Sequence, residues 1–278
     1  MTRQLTFAQQ VERSIIKTYR KEIWNPFVKA VKDYRLIAPN DKIAVCISGG
    51  KDSMLLAKCM QQLQRFSDFP FSLEFVCMDP GYHEVNRRQI ETNAEKLQVP
   101  IKFFETNIFD VTESVSGNPC YLCARMRRGH LYSIAKSLGC NKIALGHHLS
   151  DVIETTLLGM FYGAQLQAML PRLKSTNFEG MELIRPLYCV NEDAILKWKL
   201  YNGLDFIQCA CRFVDEYSHS EDGIGPSKRQ EIKALIKEMR KDNPDVERNI
   251  FMSIHNLKLD TFIGYKQDGT EHSFLEKF

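Results

Sequence analysis

Residues 48–53 read Ser-Gly-Gly-Lys-Asp-Ser and follow directly on the apolar run Ile43-Ala44-Val45-Cys46-Ile47. A short β-branched run of this kind reads as a buried parallel strand, and the residues from Asp52 to Met60 read as the start of a helix. A glycine pair and a lysine therefore sit on a strand-to-helix turn, where backbone N–H groups converge and the helix dipole favours an anion. Gly49 and Gly50 let the backbone approach a phosphate closely. Lys51 supplies a point charge, and the hydroxyls of Ser48 and Ser53 can hydrogen-bond phosphate oxygens. The spacing differs from the G-x-x-x-x-G-K-[ST] loop that holds a β,γ-phosphate pair. An ordinary glycine turn before a helix is the competing reading, and the weaker one.

The rest of the chain extends this unit. Strands are expected at 43–47, 73–78, 101–105, 143–145 and 183–184. Helices are expected at 53–66, 84–97, 127–138, 151–162, 194–201 and 228–240. Strand–helix alternation implies an α/β fold, a parallel sheet with helices on both faces, whose ligands bind at the carboxyl ends of the strands. Asp79, Gly146 and His147 fall just after expected strands, on the same rim as the 48–53 loop. Ahead of this lies an N-terminal helical arm over 1–40. Phe7, Val11, Ile15, Tyr19 and Ile23 recur every four residues, and Asn25-Pro26 reads as the start of a second helix through Tyr34. Domain bounds of 41–215 for the nucleotide domain and 216–278 for a C-terminal helical extension and tail follow. Residues 261–278 carry no strong pattern.

The net charge is only +3, but basic residues cluster. Residues 1–42 hold nine Lys/Arg against four acids, and 120–142 hold Arg125, Arg127, Arg128, Lys136 and Lys142 with no acid. Two basic segments flanking a nucleotide loop favour a polyanionic partner such as RNA over simple solvated faces. No apolar run reaches the length of a membrane span, and the polar start MTRQLTFAQQVERSIIK lacks a signal-peptide core. A cytoplasmic protein without membrane contact is expected, in which nine cysteines do not form a disulfide framework. Cys120-Tyr121-Leu122-Cys123 opens a helix, which suits either a dithiol redox pair or half of a metal site. A second pair, Cys209 and Cys211, lies downstream. Four thiolates would make a zinc site; three would hold an iron–sulfur cluster with one iron open. Cys46, Cys59, Cys77, Cys140 and Cys189 read as core residues.

Several stretches combine into a resemblance. VCISGGKDSMLLAK, CYLCARMRRGHLYSIAKSLGCNKIALGHHLSDVIETTLLGMFYGAQLQAMLPRL, LIRPL and DVERNIFMSIHNL resemble the TtcA branch of the TtcA/TilS-type pyrophosphate-loop ATP pyrophosphatases, the tRNA 2-thiocytidine synthetases. The resemblance covers most of residues 11–257. It implies an adenine nucleotide alpha hydrolase-like fold, ATP cleaved to AMP and pyrophosphate, Mg²⁺, and a tRNA base activated by adenylation and then thiolated. It also implies a [4Fe–4S] cluster on Cys120, Cys123 and a later cysteine, most simply Cys209, although Gln208-Cys209-Ala210-Cys211 departs from the family's Pro-Cys-x-x-Cys. The family's GHHxDD stands here as Gly146-His147-His148-Leu149-Ser150-Asp151, with serine in place of the first acid.

On this reading residues 48–53 hold the departing pyrophosphate and Lys51 stabilises the charge that grows on it. Asp52 and Asp151 are candidates for Mg²⁺, with capping of its own helix an equal role for Asp52. Met78, Gly146 and His147 border the nucleotide. Arg127 and Arg128 are candidates for RNA phosphate or adenylate. An iron without a protein ligand would hold the sulfur to be delivered. The expected partners are tRNA and a sulfur donor such as a cysteine desulfurase, and the resemblance hints at a homodimer. Two other readings remain open: a zinc-stabilised ATP- or RNA-binding protein, and a base-aminating tRNA ligase.

Overall fold

The computed structural model describes residues 4–108, 119–207 and 228–278, with side chains absent from the description at 119–124. The chain divides into two compact units, Met1–Val152 with Met169–Gly225, and Ile153–Ala168 with Pro226–Phe278.

The first unit is built on a six-stranded sheet. Its strands are β1 (Lys42–Ile47), β2 (Ser72–Asp79), β3 (Ile101–Glu105), β4 (Lys142–Ala144), β5 (Arg172–Lys174) and β6 (Glu182–Ile184), in the order β3-β2-β1-β4-β6-β5. All neighbours pair parallel except β5, an antiparallel edge strand beside β6. β1 shows why the sheet must be covered twice. Ile43, Val45 and Ile47 belong to one apolar cluster, and the alternate residues Ala44 and Cys46 to another. Successive side chains of a strand point to opposite faces, so a strand apolar at every position needs a core on each side. The first core takes residues from helices α3 (Lys51–Phe66), α4 (Glu84–Leu97) and α7 (Glu192–Tyr201); the second takes Tyr132 and Ala135 from α5 (Pro119–Ser137).

The N-terminal arm packs on the first core through Val11, Ile15, Ile23 and Phe27, all fully buried. The expected long helix followed by a break is not what forms. α1 (Phe7–Arg13), begun by a Thr6–Gln9 capping box, passes into two π-helical turns, Ser14–Thr18 and Arg20–Trp24, and then into α2 (Asn25–Asp33). Trp24, ahead of Asn25, already has helical dihedrals, so Asn25 does not cap a fresh helix. The repeat explains the wide turns. At 3.6 residues per turn, an apolar residue every four positions drifts by about 40° per repeat around an α-helix, and i→i+5 turns hold the stripe on one side. Lys58 ties the arm to α3. It is 1% exposed, and its ammonium reaches Glu12 Oε1 at 2.8 Å and the Leu97 carbonyl at 2.7 Å.

In the second unit the later part of α6 (Leu149–Gly163) accompanies α8 (Lys228–Asp242) and α9 (Val246–Ser253). Glu154, 2% exposed, is held by Arg229 and Lys233 of α8 at 3.3 and 3.6 Å. Residues 261–278, expected to be patternless, contain a hairpin of β7 (Gly264–Gln267) and β8 (Thr270–Ser273). Its turn residues Asp268 and Gly269 both have positive φ, 50° and 82°, and Asp-Gly is a sequence known to favour such a turn. β5 and α9 were likewise not expected. α5 starts at Pro119, so the helix that Cys120–Cys123 was expected to open is continuous with the one expected from 127.

Candidate active site

The order β3-β2-β1-β4-β6-β5 places a topological switch between β1 and β4. From β1 the chain moves outward to β2 and β3, then returns to the other side of β1 at β4. A crevice opens at the carboxyl ends of such a strand pair. The 48–50 loop leaves β1 there, and residues 145–148 leave β4 beside it. Gly146 fits the two together: a Cβ on it would lie 3.1 Å from the backbone of both Asp52 and Ser53.

The loop needs glycine at position 49. Gly49 has φ +83°, and a Cβ would fall 2.5 Å from Ile90 Cγ1 and 2.7 Å from Ile207 Cδ1. The Ser53 hydroxyl is committed to the loop itself. It donates to the Gly50 carbonyl at 2.9 Å and accepts from the Ser48 N–H at 3.2 Å. Ser48 is exposed, and its hydroxyl donates to Ser53 Oγ at 3.2 Å. The N-cap of α3 is Gly50, which has no side chain to occupy the first-turn N–H groups, so the helix start remains suited to an anion.

Lys51 is one-fifth exposed and lies between two carboxylates, Glu192 Oε1 at 2.9 Å and Asp52 Oδ2 at 3.2 Å. Burial by itself would lower its pKa; the charges of Asp52 and Glu192 outweigh that and hold it above the ordinary lysine value. Asp52 does not cap its own helix. Its Oδ1 is buried and accepts no hydrogen bond, with His148 Nε2 at 3.7 Å. His148 is 3% exposed. Its Nδ1 accepts from the Asp151 backbone N–H at 3.4 Å, and its backbone N–H donates to Asp151 Oδ2 at 3.0 Å. Of the two histidines after β4, both candidates from the sequence to touch phosphate, it is His148 that lies between the two candidate acids. His147 stands next to it, half-buried.

Ser150, in the position of the missing acid, is 8% exposed and accepts the Glu192 N–H at 3.3 Å. The structure therefore adds Glu192 to the site. No sequence motif pointed to it, since 141 positions separate it from Lys51. Met78 reaches the rim but is 3% exposed, packed in a small cluster with Ile108. Asp79 shapes its own loop, accepting the N–H groups of Gly81 and Tyr82 at 2.9 and 2.7 Å and pairing with Arg87 at 2.8 Å.

The basic segments separate on folding. Arg127 hydrogen-bonds Tyr82, whose hydroxyl burial pushes up to about 12. Arg125 and Arg128 are exposed. Arg128 lies near Arg185, 8% exposed, whose pKa falls to about 10 through burial first and the charge of Arg128 second. Lys142 is buried against Asp41 at 2.7 Å and Lys42 pairs with Glu74 at 3.2 Å, so neither offers its charge to a partner. α5 and the N-terminal arm pack on opposite faces of the sheet.

Positions 120 and 123 fall in the first turn of α5; their side chains, and Cys209 and Cys211 altogether, lie outside the described residues. The other five cysteines are free thiols. Cys46, Cys59, Cys77 and Cys140 are core residues, and Cys189 is half-buried. Burial raises Cys46 and Cys77 to about 12 and Cys140 to about 11, which disfavours the thiolate a metal needs. Among the described residues no three His, Cys, Asp or Glu side chains converge on one point, and no helix is long and apolar enough to cross a membrane.

Comparison with known proteins agrees with this architecture. The profile of the PP-loop domain matches residues 12–218. A tRNA-cytidine(32) 2-sulfurtransferase of Geobacter sulfurreducens is 34% identical over 241 residues, covering 86% of this chain and 90% of the relative. One from Neisseria meningitidis serogroup C is 37% identical over 234 residues, covering 82% of this chain and 69% of its own. Among solved structures, the U34-tRNA thiolase NcsA from Methanococcus maripaludis, with its [4Fe-4S] cluster, shares the fold: TM-score 0.64 at 21% identity, over 84% of this chain and 79% of that one. The strand–loop–helix geometry and the extent of these matches give one result: the chain belongs to the PP-loop family and, within it, to the tRNA-cytidine(32) 2-sulfurtransferases.

Proposed function

We propose that this chain is an ATP-dependent tRNA sulfurtransferase that replaces a carbonyl oxygen of a tRNA base, a cytidine, by sulfur. The observation that carries the reading is the Gly49-Gly50-Lys51 turn at the uncapped start of α3, set at the switch between β1 and β4. The base oxygen attacks the α-phosphorus of ATP, and the bond to the β-phosphate breaks. The departing pyrophosphate rests on the first-turn N–H groups of α3, and Lys51 stabilises its growing charge. The oxygen, now part of a phosphate ester, leaves as AMP when sulfur attacks the ring carbon. His148 orients the carboxylates of Asp52 and Asp151 between which it lies.

Two further groups fit the residues present. The bare buried Oδ1 of Asp52 suits a hard cation, and Mg²⁺ needs only one or two protein carboxylates beside phosphate oxygens and water. Asp52, with Asp151, would hold it, and it would neutralise the phosphates. Two cysteines in the first turn of α5 suit an iron–sulfur cluster. Cys120, Cys123 and Cys209 would hold a [4Fe–4S] cluster, which would supply a binding point for the sulfur to be transferred. The similarity to tRNA-cytidine(32) 2-sulfurtransferases favours this reading over the zinc-site and aminating-ligase readings. A sulfur donor such as a cysteine desulfurase, a homodimeric state and a cytoplasmic location complete the reading.

The test is product analysis under anaerobic conditions with tRNA, ATP, Mg²⁺ and sulfide. AMP, pyrophosphate and 2-thiocytidine in equal amounts are expected. ADP and phosphate as the sole nucleotide products would refute the reading.

For tRNA docking, Arg125 and Arg128 are the exposed cations of α5 that lie nearest the C-x-x-C, with Lys136 exposed at its far end. Replacing both by alanine is expected to weaken tRNA binding and to lower the slope of log K against log salt by about 1.8, as two lost phosphate contacts require. Filter binding from 50 to 300 mM salt measures it; an unchanged slope would remove α5 from the RNA interface.

A further inference from the structure

Glu192 lies outside every motif of the chain, yet its carboxylate makes the shortest ion pair of Lys51, 2.9 Å against 3.2 Å for Asp52. We propose that Glu192 is a positioning residue for Lys51: a counter-ion that the phosphates of ATP displace from the ammonium, and that takes the ammonium back as pyrophosphate leaves. The proposal rests on the ATP-cleaving reading of the loop.

Three features of the site carry it. Glu192 is fixed. It is the first residue of α7, its N–H is held by Ser150 Oγ at 3.3 Å, and Asn191 caps the helix by accepting the Asp193 N–H at 2.8 Å. The helix itself is anchored by Ile195 and Trp198, both fully buried. Lys51, in contrast, carries its charge on a four-carbon stem with free rotors, so the ammonium is the part that can move. The charges then decide the direction. With two carboxylates on it, the ammonium is already neutralised, and a polyphosphate must win it in competition. Because both partners are only about one-fifth exposed, solvent screens that competition less than it would at the surface. A lysine held by pyrophosphate alone would retain the product; a fixed carboxylate within reach offers it a second partner and speeds release. Ser150 has a part in this. A hydroxyl there can accept the Glu192 N–H, which a carboxylate would also do, but without adding a third negative charge beside Lys51.

The test uses the intact protein and two probes, a non-hydrolysable α,β-methylene ATP and pyrophosphate. Glu192→Gln is expected to tighten both dissociation constants by about three- to ten-fold, the range for a partly exposed ion pair set against a phosphate. Glu192→Asp, which keeps the charge but withdraws it by one methylene, is expected to tighten them by less. In a Lys51→Ala background Glu192→Gln is expected to change neither constant, since the effect runs through the ammonium. A merely structural role at the start of α7 would loosen binding or lower the melting temperature, and would tighten nothing. Unchanged or weaker binding by a folded Glu192→Gln overturns the proposal. Equal tightening with and without Lys51 also overturns it, by showing direct repulsion of phosphate. If Lys51→Ala alone leaves binding of pyrophosphate intact, the loop reading beneath the proposal fails instead.

Discussion

Lys51→Ala is expected to lower the rate of ATP-dependent thiolation by about 10²–10³-fold, the cost of removing one preorganised charge from a developing anion. The effect should fall on kcat more than on the KM for ATP, because the charge on the leaving pyrophosphate is greater in the transition state than in bound ATP. The fold should survive. Asp52 and Glu192 lose their shared cation, but each is between one-fifth and one-third exposed and can be rehydrated. Lys51→Arg keeps a positive charge and is still expected to be impaired, since a planar guanidinium does not replace a compact ammonium between two acids and a phosphate. Single-turnover assays of AMP formation, with circular dichroism to confirm folding, measure both variants. Activity of Lys51→Ala within about tenfold of the parent would mean that α3 and its metal stabilise the leaving group without the lysine.

The second large effect concerns the cysteines. Cys120→Ala, Cys123→Ala and Cys209→Ala are each expected to lose the iron of the anaerobically reconstituted protein and, with it, thiolation. Cys211→Ala is expected to keep both. The structure narrows the choice of thiols from the other side. Cys46, Cys59, Cys77 and Cys140 are buried in the two cores with raised pKa values. Cys189 is also raised, by burial. These five are poor sources of a thiolate ligand. Positions 120 and 123 lie at the start of α5. Iron analysis and the absorbance of brown protein read the result. Iron lost from Cys211→Ala and kept in Cys209→Ala would exchange the two assignments. Stoichiometric zinc with no iron in the protein as isolated would end the sulfur-transfer role of the cluster.

The phosphate loop was legible because everything that makes it is local. A β-branched run, two glycines, a lysine and a helix start occupy consecutive positions, and backbone geometry follows from such neighbours alone. α4 and β3 came out with the bounds expected of them for the same reason. The Asp268-Gly269 turn was equally local and was overlooked. The four-residue repeat of the arm was seen, but the reading of it as an α-helix missed the π turns that such a repeat needs.

The remainder was decided by tertiary structure. Lys142 reads as part of a basic run, and only the fold shows it buried on Asp41, 101 positions away. The two basic segments are both visible as sequence, yet the alternation of β1 sends their helices to opposite faces of the sheet. His148 and His147 look alike in the motif, and their burial tells them apart. Glu192 gives no local signal at all. Its role beside Lys51 arises because β6 lies next to β4, which carries the chain after β6 back to the same rim. Ion pairs act over a few ångströms whatever the sequence separation. A sequence therefore names the charges and shapes each local turn, and the order of the strands decides which charges meet.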